Sequence, residues 1–277
     1  MDLMDFREIG KLVSEDRLSL EYLWKKRGNT VCQSCSSSEF YYHQRWRVRC
    51  KGCKKDYWPL QGTRFALLRI SPSQWLSLVK LFELSTSARK ASQEVHLSYK
   101  TTLRAYDVLR RVIVEELAKK DDILKGELEA DEAYFGGKRK GKRGRGAGGK
   151  TIVYGILERG GRVSVSIVQD VSAESLMTET VKRVRRGSIV YTDKWRGYDS
   201  LMFCGSKHLN IDHRYKFKQG KVYINGIERF WAFAKERLIK HHGISRKKFL
   251  FYIKEMEWRY NNRGKDLFEV VVDLMLH

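Results

Sequence analysis

The stretch Glu127-Leu128-Glu129-Ala130-Asp131-Glu132-Ala133-Tyr134-Phe135 marks where this chain changes character. Before it, apolar residues recur at helical spacing; from it onward they fall in short strand-like runs. Glu127–Phe135, Lys150–Glu158 and Arg162–Asp170 read as strands, the last two separated by Arg159-Gly160-Gly161. Ser172–Arg186 reads as an amphipathic helix, capped by Ser172 with Glu174 in its first turn. Ser188–Asp193 is a short buried strand, and Leu209–Asp212 is a candidate for one more. Ile227–Lys240 and Ser245–Asn261 are helices with aromatic faces, and Asp266–Leu276 is a last apolar helix. Three strands, a helix, a strand and a closing helix predict a mixed sheet flanked by helices. The ribonuclease-H-like fold has that order.

Upstream, residues 1–28 predict one or two short helices, the second near Ser19–Lys26. Gly62–Ile70 is a connector, and Ser71-Pro72 then opens a helix, since Ser caps well and Pro fits the first turn. Three helices follow: Ser73–Ser85, Ser87–Val95 and Ser98–Lys119. The last two, joined by His96-Leu97-Ser98, have the look of a helix-turn-helix. Tyr99, Lys100, Thr101 and Arg104 would then reach base edges from the start of the recognition helix. A plain helical bundle with a solvated basic face is the other reading.

Charge narrows the partners. Lys and Arg number 55 against 33 Asp and Glu, a net charge of +22, with a pI near 9.8. A surplus that large repels itself and calls for a polyanion. Nucleic acid is the first candidate and an acidic membrane surface the second. No apolar run approaches the roughly 18 residues that span a bilayer, and Met1–Val13 lacks a signal-peptide pattern. The expected setting is the cytoplasm and nucleoid of a prokaryote or the nucleus of a eukaryote, with no membrane partner. Thiols stay reduced there, so the cysteines read as metal ligands rather than disulfides.

Cys32-Gln33-Ser34-Cys35 and Cys50-Lys51-Gly52-Cys53 are two CxxC pairs with 14 residues between them. Each tight turn offers two thiolates, and a hairpin of Phe40–Tyr42 with Trp46–Arg49 would return the second pair to the first. Four soft ligands suit one structural Zn²⁺ in a zinc ribbon. Two copies without a surrounding βαβ pattern disfavour a redox role. Cys204 stands alone as an incidental thiol, and His43 reads as a surface or DNA-contacting residue.

Three acids sit in apolar surroundings. Asp131 lies inside the first strand, Asp193 ends Ile189–Asp193, and Glu228 lies in the first turn of an aromatic helix. A carboxylate on the first strand, one on the fourth and one on a later helix can converge on one edge of such a sheet. Phosphodiester hydrolysis suits them: two Mg²⁺ (or Mn²⁺) ions per active site can act on the attacking and leaving oxygens, and Mg²⁺ prefers hard oxygen ligands. Glu129 and Glu132 flank Asp131 and compete for the role, Glu129 from the same strand face.

The run from Asp131 through Gly136 to Lys150, then Ile189–Tyr198, then Ile224–Leu238, resembles the three blocks of DDE-type insertion-sequence transposases of the Merlin-related group. The resemblance extends over most of the chain, including an N-terminal zinc ribbon followed by a helical DNA-binding segment. It implies that Asp131, Asp193 and Glu228 are the metal triad, with Asn225 a competitor for the third place. It implies that Lys235, seven positions after Glu228, contacts a DNA phosphate. Lys138, Arg139, Lys140, Lys142, Arg143, Arg145 and Lys150 lie in a glycine-rich hairpin beside Asp131 and are expected on the DNA backbone. Trp195 and Tyr198 either stack on an unpaired base or pack, while Phe230, Trp231 and Phe233 fill core. His213, His241 and His242 are weaker DNA or metal candidates.

The expected class is multidomain α+β: a zinc ribbon and helix-turn-helix module, then a ribonuclease-H-like α/β catalytic domain. The expected divisions are an N-terminal helical segment at 1–28, the ribbon at 29–61, the helical module at 62–125, the catalytic domain at 126–262 with a basic hairpin at 136–150, and a C-terminal helix at 263–277. The implied activity is cleavage and transfer of DNA strands at terminal inverted repeats, into double-stranded target DNA, by a homodimer or higher oligomer. The alternatives are a non-catalytic zinc-ribbon and helix-turn-helix regulator, and a ribonuclease-H-like nuclease that does not join.

Overall fold

A computed structural model describes residues 4–28, 31–43, 46–119, 123–136, 150–193, 207–211, 223–241 and 243–277, with 207–211 described by backbone alone. The chain divides into two compact units: residues 1–116 with 264–277, and residues 117–263.

The first unit contains α1 (Phe6–Val13), α2 (Asp16–Lys26), β1 (Phe40–His43), β2 (Arg47–Cys50), β3 (Asp56–Tyr57), a 3-10 turn at Arg64–Leu67, α3 (Pro72–Glu83), α4 (Ala88–Glu94), most of α5 (Tyr99–Lys119), and the chain's last helix, α9 (Leu267–Leu276). Local sequence sets several boundaries. Asp5 and Glu8 form a reciprocal capping box at α1, and Ser71 and Gln74 form another at α3, where Pro72 enters the first turn. Ser85 and His96 take positive φ just past α3 and α4, which ends each helix in a left-handed residue. Trp75, Leu76, Val79 and Phe82 of α3 are fully buried, and the Phe82 ring meets Tyr106 of α5 at 5.2 Å.

The place of α9 is hidden in the sequence. It packs against α3, and Asp266, which caps it, accepts the Met4 N–H at 2.7 Å. Glu269 accepts the Tyr22 hydroxyl at 2.6 Å and also binds Lys26. The end of the chain therefore closes the unit that the start of the chain opened.

The second unit contains β4 (Glu127–Phe135), β5 (Thr151–Glu158), β6 (Val163–Val168), α6 (Ala173–Arg183), β7 (Ile189–Asp193), β8 (Lys207–Ile211), α7 (Asn225–Leu238) and α8 (Arg246–Asn261). The strand order is β6-β5-β4-β7-β8. β6, β5 and β4 run antiparallel, while β7 pairs parallel to β4 and β8 parallel to β7. This is the expected mixed sheet flanked by helices. Strand alternation divides its two faces. Ala133, Phe135, Val153 and Leu157 pack with Ile227, Phe230 and Trp231 of α7 and Phe249, Ile253 and Met256 of α8. Leu128, Ala130, Tyr154 and Ile156 pack with Leu176 of α6.

The edge strand β6 is covered rather than left open. Asn261 of α8 accepts the Val163 N–H at 2.8 Å and donates to the Val163 carbonyl at 2.8 Å. Glu257, one turn earlier, accepts the Val165 N–H at 3.0 Å. Side chains of a helix thus stand in for a neighbouring strand and block edge-to-edge pairing. Among the described residues, no helix is long and apolar enough to cross a membrane.

Candidate active site and metal centre

The β4–β7 register pairs Glu127 with Ile189, Leu128 with Val190 and Glu129 with Tyr191. Continued by two residues, it brings Asp131 level with Asp193 on adjacent parallel strands. Glu228 occupies the first turn of α7, the helix that crosses this face of β4. Its charge reaches Asp131. Burial pushes the Asp131 carboxyl up to about 8, and the Glu132, Asp193 and Glu228 carboxylates add to the rise. Crowded anions in a partly desolvated place disfavour their own ionisation, and a divalent cation would relieve that cost. Carboxylate oxygens are the hard donors that Mg²⁺ or Mn²⁺ takes.

Two contacts fix α7 over β4. The Trp231 indole Nε1–H donates to Asp131 Oδ2 at 3.1 Å. The ring can lie there because Gly155, the β5 partner of Asp131, has no side chain: a Cβ would stand 2.6 Å from Trp231 Cζ2. Gly155→Ala is therefore expected to displace the indole and cost about 1–3 kcal/mol through overpacking. An unchanged urea midpoint would show that the slot is not needed. The second contact is made by Glu129, which is 1% exposed. Its Oε2 accepts the Gly226 N–H at 2.7 Å and the Ile227 N–H at 3.0 Å. Its Oε1 accepts Arg159 Nε at 3.1 Å. The Arg159 guanidinium lies between the rings of Tyr191 and Tyr223, 3.8 and 3.9 Å from their centroids.

The other site residues named from sequence fall in different places. Glu132 points to the opposite face by strand alternation and is buried. Asn225 and Lys235 are exposed on α7, and the 3.6-residue period puts Lys235 on the stripe that begins at Glu228. Phe230 and Trp231 are buried and Phe233 packs against the same core, with Trp231 adding the bond to Asp131 that sequence did not suggest. Lys150, just before β5, is partly buried. Tyr99, Lys100 and Arg104 are exposed at the start of α5 in the first unit, with Thr101 half-buried beneath the Ser98 hydroxyl that caps it at 3.1 Å. Lys138, Arg139, Lys140, Lys142, Arg143, Arg145, Trp195, Tyr198, Cys204, His213 and His242 lie outside the described residues. Sequence reading missed Glu129 as a helix anchor, Arg159 and Gly155. A buried-pattern Glu two residues before a candidate ligand was the one available signal.

The four cysteines come together in the first unit. Cys32, Cys35, Cys50 and Cys53 place their sulfurs within 4.8 Å of one another, with Cys32–Cys53 and Cys35–Cys50 each at 3.5 Å. A tetrahedral ion with metal–sulfur bonds near 2.3 Å needs sulfurs about 3.8 Å apart, so the cluster could hold a metal. Two knuckles of matching geometry build it. Cys32 N–H donates to the Ser37 carbonyl and Ser36 N–H to the Cys32 carbonyl, both at 2.8 Å; Cys50 N–H donates to Lys55 at 2.9 Å and Lys54 N–H to Cys50 at 3.1 Å. Ser36 and Lys54, each just after the second cysteine, both take positive φ, 58° and 62°. The Tyr57 hydroxyl, 3.1 Å from Cys32 Sγ, holds that thiol down to about 6, toward the thiolate a metal binds. β3, which carries Tyr57, was not foreseen; it adds a third strand to the expected hairpin.

Comparison with known proteins finds both sequence relatives and solved structures that this chain resembles. A transposase-like protein of Haemophilus influenzae, itself uncharacterised, is 41% identical over 101 residues, which covers 36% of this chain and 82% of that one. An uncharacterised protein in transposable element ISH50 of Halobacterium salinarum is 26% identical over 97% of this chain and 99% of its own length. Among solved structures, the simian T-cell lymphotropic virus intasome in complex with PP2A regulatory subunit B56 gamma matches with a TM-score of 0.34 and 13% identity, covering 68% of this chain and 69% of that one. A pre-cleavage Mos1 transpososome matches with a TM-score of 0.29 and 10% identity, covering 72% and 74%. Residues 123–261, the span of β4 to α8 that holds all three carboxylates, match the ISXO2-like transposase domain, and the chain belongs to that family.

Proposed function

We propose that the protein is a DDE-type transposase of the Merlin-related insertion-sequence group, with a ribonuclease-H-like catalytic domain that cuts DNA at terminal inverted repeats and joins the freed ends to target DNA. The observation that carries this reading is the register of β4 and β7, which continued by two residues sets Asp131 beside Asp193, on the face of β4 that α7 crosses. Those two carboxylates and Glu228 would hold two Mg²⁺ or Mn²⁺ ions. Bound there, the ions would supply Lewis-acid stabilisation to the attacking and leaving oxygens of an in-line displacement. The chain's own part is to orient: Trp231 fixes one Asp131 oxygen, and Glu129 holds the helix that presents Glu228. Lys235, on the same exposed stripe as Glu228, would take a phosphate.

In the first unit, the cysteine cluster would hold one structural Zn²⁺. Its ribbon and the α4–α5 pair would bind the element's ends, with Tyr99, Lys100, Thr101 and Arg104 toward the groove. The basic series Lys138, Arg139, Lys140, Lys142, Arg143, Arg145 and Lys150 would follow the DNA backbone, and Trp195 would stack on a base. Two ends must meet before strand transfer, which calls for a homodimer or a larger assembly. The test is to incubate the full chain with DNA carrying its own flanking repeats, a target plasmid and Mg²⁺, and to size the products on a denaturing gel. A 3′-hydroxyl end joined to plasmid is expected. Cleavage without joining would indicate a nuclease, and Mg²⁺-independent binding alone would indicate a regulator.

A further inference from the structure

We infer that Glu129 is a positioning residue, whose carboxylate, anchored by Arg159, sets where Glu228 stands relative to Asp131 and Asp193. The inference rests on the reading of those three acids as a cation site and concerns what holds that site in register.

Three observations carry it. First, the start of α7 depends on Glu129. The residue in the cap position, Ile224, makes no side-chain cap bond, so the N–H groups of the first turn need another acceptor. Glu129 Oε2 accepts two of them, from Gly226 and Ile227. A carboxylate there also meets the positive end of the helix dipole. Second, the approach requires Gly226: a Cβ would stand 2.7 Å from Glu129 Oε2 and 3.1 Å from Leu157 Cδ2. Third, the cluster includes a residue within two positions of every member of the triad. Glu129 is two residues before Asp131 on β4. Tyr191, stacked on Arg159, is two before Asp193 on β7. Gly226 and Ile227 directly precede Glu228. Arg159 closes the cluster by donating to Glu127 at 2.7 Å and to the Tyr223 carbonyl at 2.8 Å.

This engagement argues against Glu129 as a fourth metal ligand. It is almost wholly enclosed, and both of its oxygens already accept hydrogen bonds. Its negative charge is directed into a helix end and a guanidinium instead of into the crowded space around Asp131.

The test is calorimetric Mn²⁺ binding to the zinc-replete, DNA-free chain for Glu129→Gln, Gly226→Ala and Asp131→Asn. Single-turnover cleavage and end-DNA affinity are measured alongside. Outer-shell partners of metal ligands typically account for about 10–100-fold in metal affinity or activity. Glu129→Gln and Gly226→Ala are each expected to weaken Mn²⁺ binding by about 10-fold or more and to slow cleavage, with the Kd for end DNA unchanged. Wild-type Mn²⁺ affinity in both variants would reduce Glu129 to a purely structural bond and overturn the inference. So would loss of Mn²⁺ binding in Glu129→Gln as complete as in Asp131→Asn with Gly226→Ala unaffected, which would make Glu129 a ligand. If Glu129→Gln fails to fold, Gly226→Ala decides. Unaltered Mn²⁺ affinity in Asp131→Asn would instead remove the cation-site reading itself, and the inference with it.

Discussion

Asp193→Asn is expected to lower Mg²⁺-dependent strand cleavage by at least about 10³-fold without lowering the melting point of the zinc-replete protein in Mg²⁺-free buffer. Asparagine keeps the size of the side chain and one carbonyl oxygen, so β7 can retain its pairing with β4 and β8. What disappears is a charge beside Asp131. A metal acting as a Lewis acid contributes several kcal/mol to the transition state, and each 1.36 kcal/mol is a factor of ten. Loss of about 4 kcal/mol through a mispositioned ion gives the expected factor.

The stability of the Mg²⁺-free, zinc-replete protein should respond in the opposite sense. Asp131 is already pushed up to about 8, partly by Asp193. An acid whose folded pKa lies above its unfolded value costs stability as pH rises between the two. Removing Asp193's charge eases that cost near neutral pH. Single-turnover cleavage of end-labelled DNA and thermal melting of the zinc-replete protein without Mg²⁺ measure the two halves separately. A wild-type cleavage rate would take Asp193 out of the site, and a steep fall in melting point would mean that its role is structural.

The expected strand Glu127–Phe135 is observed with the same bounds because both periodicity and chain direction are local signals. Even the convergence of Asp131 with Asp193 has a sequence shadow: they stand 62 positions apart, and the β4–β7 register pairs residues at that same offset. What could not be read is how the site is held. Glu129 binds N–H groups 97 and 98 residues away, and no local pattern separates an acid that anchors a helix from one that binds a cation. Gly155 looks like an ordinary weak point in a Val- and Ile-rich strand until Trp231 is found across it. The same holds for α9, whose apolar face says that it is buried but not against what. β3 was invisible for a different reason: two residues are too few to show alternation.

Cys50→Ser is expected to abolish zinc retention and unfold the ribbon, and Cys35→Ser is expected to do the same. The comparison matters because the two residues differ in burial: Cys50 is buried and Cys35 exposed. If the ribbon were held by packing alone, the exposed cysteine would tolerate the change and the buried one would not. If four thiolates share one ion, either loss is equally damaging, since a serine hydroxyl stays protonated and is a poor ligand for a soft site. Structural zinc contributes apparent binding free energies of about 10–16 kcal/mol in small finger domains. Strands of four, four and two residues offer little burial to replace it. The reporter is built in. Trp24 of α2 packs on Phe40 at 5.7 Å and Tyr57 at 5.6 Å, so an unfolded ribbon strips the indole of both rings. Tryptophan emission should shift to the red in both variants and in wild type treated with a chelator, together with loss of zinc by elemental analysis. A Cys35→Ser protein that keeps its zinc and its emission would show that the cluster holds together without a shared metal.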